Sequence, residues 1–246
     1  MNGLAFVLSV LIGVSLGMLG GGGSILTTPV LMYALGVEPK QAIATSLLVV
    51  AVTSLVGVVR HALAGNVVWK IGLLFGAAGM VGAYLGGSVA NYLPDNVLLG
   101  LFAVTMFVVA GAMLRGRKDP GARAPVEPVI WKVLLQGALV GAFAGLVGAG
   151  GGFLVVPALV LAGGLAMPKA IGTSLLVITL QSFAGYAGHA AHVSIDYGLA
   201  AFVSVAAVVG VLGGSLLAGK VAPVHLRRGF GVFVLFMACF VLYQQL

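Results

Sequence analysis

The chain has 246 residues, of which 61% are hydrophobic and only 7% charged, with a mean hydropathy of +1.21. Soluble domains carry roughly 25% charged residues, so this composition excludes an ordinary soluble protein and indicates a multi-pass membrane protein. The formal net charge is +7, but the basic residues stand in short segments between apolar stretches. There they determine topology and do not indicate a nucleic-acid partner. The single cysteine, Cys239, excludes a disulfide within the monomer and thiolate metal clusters.

The apolar segments predict helices along the whole chain. They run over about residues 3–35, 41–62, 67–91, 96–114, 129–164, 168–190, 196–219 and 226–244. A membrane-crossing helix needs about 20 residues, so most of these segments fit one helix each. The first and fifth segments are too long, and glycines interrupt them at 20–23 and at 148–152. Each is therefore either one broken helix that crosses once, or a segment that enters the membrane and returns to the same side.

The two halves of the chain repeat each other. The sequence from Gly17 to His61 aligns without a gap with the sequence from Gly145 to His189, after a shift of 128 residues. Internal duplication of an apolar chain, with glycine breaks at matching places, is typical of secondary transporters. We therefore predict a first transmembrane repeat over 1–114, a cytoplasmic basic linker over 115–128 and a second transmembrane repeat over 129–246.

The distribution of Lys and Arg distinguishes the two topologies. If each broken segment crosses once, the basic residues divide almost evenly between the two sides of the membrane. If each segment returns, every Lys and Arg except Lys40 lies on the side of the central linker, as the positive-inside rule requires. We therefore predict an all-α polytopic membrane protein with two inverted repeats, each a glycine-broken re-entrant segment or half-helix followed by three transmembrane helices. The predicted location is the bacterial inner membrane, with both termini periplasmic.

The glycine breaks predict an anion site near the middle of the membrane. Glycines free the backbone, and the amide groups and dipole of a helix N-terminus favour negative charge; Ser24 is predicted to cap the helix after the first break. The hydroxyls of the paired Thr-Ser dipeptides can donate to an oxyanion or, alternatively, back-bond to a carbonyl. Close helix packing is the alternative explanation for the glycines. The predicted substrate-binding residues are Gly20, Gly21, Gly22, Gly23, Ser24, Thr45, Ser46, Gly150, Gly151, Gly152, Thr173 and Ser174.

Two histidines are candidates for proton coupling. His61 and His189 occupy equivalent positions near helix ends, and histidine titrates near neutral pH. The alternative is an interfacial histidine that contacts headgroups or loop carbonyls. Gln181 and Ser182 are further polar candidates for substrate binding. We predict no metal site and no cofactor, because the chain has only five acidic residues.

The paired motifs resemble those of a known family. A glycine-rich break followed by a proline, together with the paired A-I-x-T-S-L-L, is similar to the sulfite exporter TauE/SafE family of membrane permeases, over nearly the whole chain. In the second half Val155 and Val156 replace Thr27 and Thr28, so those hydroxyls are not duplicated. The resemblance implies a sulfur-containing anion as substrate.

The predicted function is therefore a secondary transporter that exports sulfite or an organosulfonate. Import of an organosulfonate, thiosulfate or organic acid is the alternative within transport, and an intramembrane enzyme or a membrane scaffold is the alternative from another class. We predict no enzymatic activity, because the chain lacks paired carboxylates and a P-loop lysine. The predicted partners are a small anion and the lipid bilayer, and the sequence is compatible with a homo-oligomer.

Overall fold

The computed structural model describes residues 3–90, 92–115, 130–147, 152–190, 193–218 and 221–243, and within these ranges the chain is almost wholly helical with no strand. The helices are α1 (Gly3–Leu19), α2 (Gly22–Pro29), α3 (Pro39–Leu63), α4 (Trp69–Ala90), α5 (Asp95–Arg115), α6 (Ile130–Val147), α7 (Gly152–Pro157), α8 (Met167–Ala190), α9 (Tyr197–Ala218) and α10 (Pro223–Tyr243). In this part of the chain, α3, α4, α5, α8, α9 and α10 are long and apolar enough to cross a membrane. The prediction of an all-α polytopic protein is confirmed.

The first long apolar segment is broken at its glycines. α1 ends at Leu19, and Gly20 adopts a left-handed conformation with φ of 68°, which glycine tolerates best. A Cβ atom on Gly23 would contact Ile12 and Leu16 of α1. In a straight helix Gly23 would lie about 16 Å from Ile12. The chain therefore folds back at the break, and α2 packs beside α1.

The segment after each break has the same local structure. Pro29 and Pro157 end α2 and α7, and the π-helical turns Val30–Ala34 and Ala158–Ala162 follow them. A proline nitrogen has no N–H with which to continue the α-helical hydrogen bonds. Left-handed glycines follow, with φ of 68° and 66° at positions 36 and 164, and this conformation commonly terminates a helix. The duplicated sequence therefore forms equivalent structure in both halves.

The first helix of each half packs against a helix of the other half. A Cβ atom on Gly13 in α1 would collide with the backbone of Ala207 in α9, and one on Gly141 in α6 would collide with Gly79 in α4. The two contacts are equivalent, because a shift of 128 residues exchanges them. Small residues allow such close approach of helix backbones in membranes. The halves are therefore interlocked rather than side by side.

The equivalent helices α3 and α8 run in opposite directions. Leu47 contacts Gly185, and Gly57 contacts Leu175, so residue numbers that rise along α3 fall along α8. A shift of 128 residues exchanges these two contacts as well. In contrast, α4 runs parallel to α8, because successive residues of α4 meet successive residues of α8, in the pairs Gly72–Leu176, Gly76–Leu180 and Gly79–Gln181.

Candidate functional site

The beginnings of α2 and α7 meet inside the protein. The position of a Cβ atom on Gly152, the first residue of α7, lies 2.7 Å from Cα of Gly21 and 2.9 Å from Oγ of Ser24. No side chain fits at position 152 without displacing α2, so glycine permits this approach. The N-terminus of α2, whose first amide groups have no partner within the helix, therefore lies where the two halves touch.

Ser24 does not cap α2, and that prediction is wrong. Its Oγ donates a hydrogen bond of 2.7 Å to the carbonyl of Gly21, whereas a capping hydroxyl accepts from a backbone N–H. The N-cap residue is Gly21, and as a glycine it has no side chain that could accept a hydrogen bond from the helix amides. Because the helix begins at Gly22, earlier than the sequence predicts, Ser24 lies within its first turn.

The serines of the paired Thr-Ser dipeptides are fully buried and back-bonded. Oγ of Ser46 donates to the carbonyl of Ile43, and Oγ of Ser174 to the carbonyl of Ile171, both at 2.8 Å. In this conformation both serines therefore bond to a carbonyl of their own helix, which is the alternative to anion binding that the sequence left open. Ser174 nonetheless adjoins the first break, because a Cβ atom on Gly20 would lie 2.7 Å from its Oγ.

The threonines of these dipeptides are also buried. Oγ1 of Thr173 accepts a hydrogen bond of 2.9 Å from the N–H of Val68, so it holds the connection that precedes α4. Thr45 is 2% exposed.

Gly150 and Gly151, the other predicted residues of the second break, lie outside the described residues.

His61 and His189 make the same contact in the two halves. Nε2 of His61 donates to the carbonyl of Gly17 at 3.2 Å, and Nε2 of His189 donates to the carbonyl of Gly145 at 2.9 Å. Both imidazoles are buried, with exposures of 5% and 1%. Each acceptor lies in the last turn of the helix before a glycine break. The histidines therefore connect the spanning helices to the breaks from inside the protein.

A cavity of about 430 Å³ lies beside the first break. Its wall is formed by the ends of α3 and α9 and the starts of α8 and α10, and includes Arg60, His61, Asn66 and Ile171. Cα of Ile171 is 3.3 Å from the position of a Cβ atom on Gly20, so the cavity adjoins the break. The guanidinium of Arg60 gives this wall a positive charge, which favours the entry of anions.

In the sequence Arg60 serves only as a topology signal, and its place in the cavity is not predicted. The comparison of the two halves contains a signal for Arg60. The equivalent residue of the second half is Gly188, so the positive charge is present in only one half. Among the residues that the structure describes, no three His, Cys, Asp or Glu side chains are grouped to hold a metal ion.

Comparison with known proteins gives a consistent result. Residues 5–241 match the family described as Sulfite exporter TauE/SafE. A "Probable membrane transporter protein" of Xylella fastidiosa is 37% identical over 242 residues, which cover 96% of this chain and 92% of the relative. The "Probable membrane transporter protein MJ0441" of Methanocaldococcus jannaschii is 28% identical over 246 residues, with 91% and 89% coverage. No solved structure matches the chain significantly.

The family match spans nearly the whole chain, and both halves contribute to the buried contact between the glycine breaks. Both relatives are described as probable membrane transporters, and this chain matches them over about nine tenths of their length. The chain therefore belongs to the sulfite exporter TauE/SafE family of membrane transporters.

Proposed function

We propose that this transporter exports a small sulfur-containing anion, sulfite or an organosulfonate, across the bacterial inner membrane. The observation that carries the proposal is the contact of Gly152 with Gly21 and Ser24, which brings two glycine breaks and an uncapped helix N-terminus together. Freed amide groups and a helix dipole bind an anion without a buried cation. The sulfur chemistry of the substrate comes from the family to which the chain belongs.

The cavity beside Arg60 and His61 serves as the entrance to this site. It lies at the ends of α3 and α9, and in the proposed topology these ends face the cytoplasm with the central linker. An anion that enters here meets a guanidinium first and the first glycine break next. The membrane potential then favours its exit by about 2.3 kcal/mol per charge per 100 mV.

We also propose that the two repeats are inverted and that both termini are periplasmic. The opposite directions of α3 and α8 support this arrangement, because repeats inserted with the same orientation would place these equivalent helices parallel. The parallel course of α4 and α8 agrees, since α4 runs back across the membrane after α3. The fold-back between Ile12 and Gly23 supplies the returning segment that the topology requires.

Sulfite efflux from proteoliposomes tests the function. Reconstituted protein should release trapped sulfite, and an inside-negative potential should accelerate the release. Gly152→Leu should abolish release, because the new side chain would displace Gly21 and Ser24. Gly213→Leu is the matched control, since none of the described residues lies within 4 Å of a Cβ atom there. A wild-type protein that releases no sulfite or sulfonate under any potential would favour a scaffold or an enzyme.

Cysteine labelling tests the topology. Single cysteines in place of Asp95 and Asp196 should both react with an impermeant maleimide from the periplasmic side, and a cysteine in place of Lys70 should react only after the membrane is permeabilised. Labelling of the first two from opposite sides would contradict the inverted arrangement.

A further inference from the structure

Two adjacent side chains of α8 are buried and have no hydrogen-bond partner in the described part of the chain. Gln181 is 1% exposed and Ser182 is 0% exposed. Neither the amide nitrogen and oxygen of Gln181 nor Oγ of Ser182 has a partner among the residues that the structure describes. A polar group that is removed from water without a partner destabilises the folded protein. If these polar atoms bound no ligand, apolar side chains at both positions would give a more stable protein.

The equivalent positions of the first half are satisfied. Thr53, the equivalent of Gln181, donates to the carbonyl of Val49 at 2.7 Å. Ser54, the equivalent of Ser182, donates to the carbonyl of Val50 and lies 2.9 Å from the hydroxyl of Thr179. The same two positions of the repeat are therefore hydrogen-bonded in α3 and unsatisfied in α8. Burial alone does not explain the difference, because all four side chains are buried.

The unsatisfied pair lies on α8 between its contacts with Gly145 and Gly152, the described residues on either side of the second glycine break, and the amide of Gln181 also contacts Gly79 of α4. Cδ1 of Ile178 is 2.7 Å from the position of a Cβ atom on Gly152, and a Cβ atom on Gly185 would lie 3.7 Å from Cα of Gly145. Residues three and four positions apart share a face of a helix. Gln181 and Ser182 follow Ile178 by three and four positions, so they lie between the contacts that α8 makes just before and just after the break.

We propose that Gln181 and Ser182 bind the transported anion and that their hydrogen bonds remain unfilled until it arrives. The inference rests on the proposed function and adds two donors to its site, Nε2 of Gln181 and Oγ of Ser182, both directed to oxygens of the anion. The amide oxygen of Gln181 is also unsatisfied, and it accepts a hydrogen bond from the substrate itself. The pair therefore selects an oxyanion that carries a proton, such as hydrogen sulfite, over one that has no donor, such as methanesulfonate.

The test uses Gln181→Met, which removes the amide and keeps the length of the side chain, and Ser182→Ala. Thr53→Val is the matched control, because it removes the already satisfied hydroxyl at the position equivalent to Gln181. Purified full-length proteins are titrated with sulfite at pH 6 and with methanesulfonate, and the shift of the unfolding temperature gives the dissociation constants. The unfolding temperature without ligand is the second measurement.

We expect both variants to bind sulfite at least tenfold more weakly and the control to bind it normally. Gln181→Met should weaken the binding of methanesulfonate less than it weakens the binding of sulfite. Without ligand the variants should unfold at the wild-type temperature or higher, because they no longer bury an unsatisfied group. Wild-type affinity in both variants overturns the inference and leaves the proposed function intact. The inference is also overturned if both variants and the Thr53→Val control unfold without ligand at equally lowered temperatures, and this outcome likewise leaves the proposed function intact. If the wild-type protein binds neither anion, the proposed function fails and this inference fails with it.

Discussion

Alanine at Gly20 tests how closely the first break packs against α8. Gly20 has φ of 68°, and an alanine there adopts a conformation that costs about 1–2 kcal/mol for residues with a Cβ atom. The Cβ atom would also lie 2.7 Å from Oγ of Ser174, 3.2 Å from Cγ2 of Val156 and 3.3 Å from Cα of Ile171. Oγ of Ser174 cannot move freely, because it is bonded to the carbonyl of Ile171 at 2.8 Å.

Gly36→Ala separates the two contributions. Gly36 also has φ of 68°, but no residue that the structure describes lies within 4 Å of a Cβ atom there. This variant should therefore be destabilised only by the unfavourable backbone conformation. Gly20→Ala should be destabilised by the same backbone conformation and, in addition, by ~1–3 kcal/mol of unfolding free energy because of overpacking.

Chemical unfolding in mixed detergent micelles measures both losses, and sulfite efflux from proteoliposomes measures transport. We expect Gly36→Ala to transport normally and Gly20→Ala to be severely impaired. If Gly20→Ala is no less stable than Gly36→Ala and transports at the wild-type rate, the break does not pack against α8 as described.

Three further predictions concern Arg60, Ser174 and the two buried histidines. Arg60→Gln should raise the half-saturating concentration of anion several-fold on the cavity side and reduce its dependence on salt, whereas Lys70→Gln, an exposed basic residue nearby, should change neither; equal effects would assign Arg60 to general surface charge. Ser174→Ala should weaken anion binding about tenfold, since a hydrogen bond to a charged group contributes about 1.5–3 kcal/mol; an unchanged dissociation constant would leave this serine as a back-bonded helix residue. His61→Gln and His189→Gln should each alter the pH profile of flux for a sulfonate that stays singly charged, and wild-type profiles in both would exclude these histidines as the coupling groups.

The helices were predictable from the sequence because the membrane imposes a strong local signal. Apolar segments of the right length, interrupted by glycines and bounded by basic residues, predicted six spanning helices and two broken segments. The repeat further indicated that residues near Gly21 and Gly152 belong together. These features depend on neighbouring residues or on the comparison of one half with the other.

The state of each polar side chain was not predictable. Whether Ser174 donates to a carbonyl or to a ligand depends on a helix packed against it from a distant part of the chain. Ser54 meets the hydroxyl of Thr179, whereas Ser182 has no partner among the residues that the structure describes. The residue of the first half equivalent to Thr179 is Ala51, which has no hydroxyl to offer. Ser24 was assigned to the N-cap because a hydroxyl after four glycines usually starts a helix, but these glycines enter the helix themselves.

The exchange of α1 and α6 between the halves has a consequence for biosynthesis. α1 precedes α9 in the chain, so α1 is synthesised well before the groove of α9 that receives Gly13. Until then lipid or a chaperone covers the glycine-lined face of α1, and the first break lacks the contacts that Gly20 makes with α8. The final assembly of the protein must therefore wait for the second half, and two separately synthesised halves should become stable only when they are produced in the same cell.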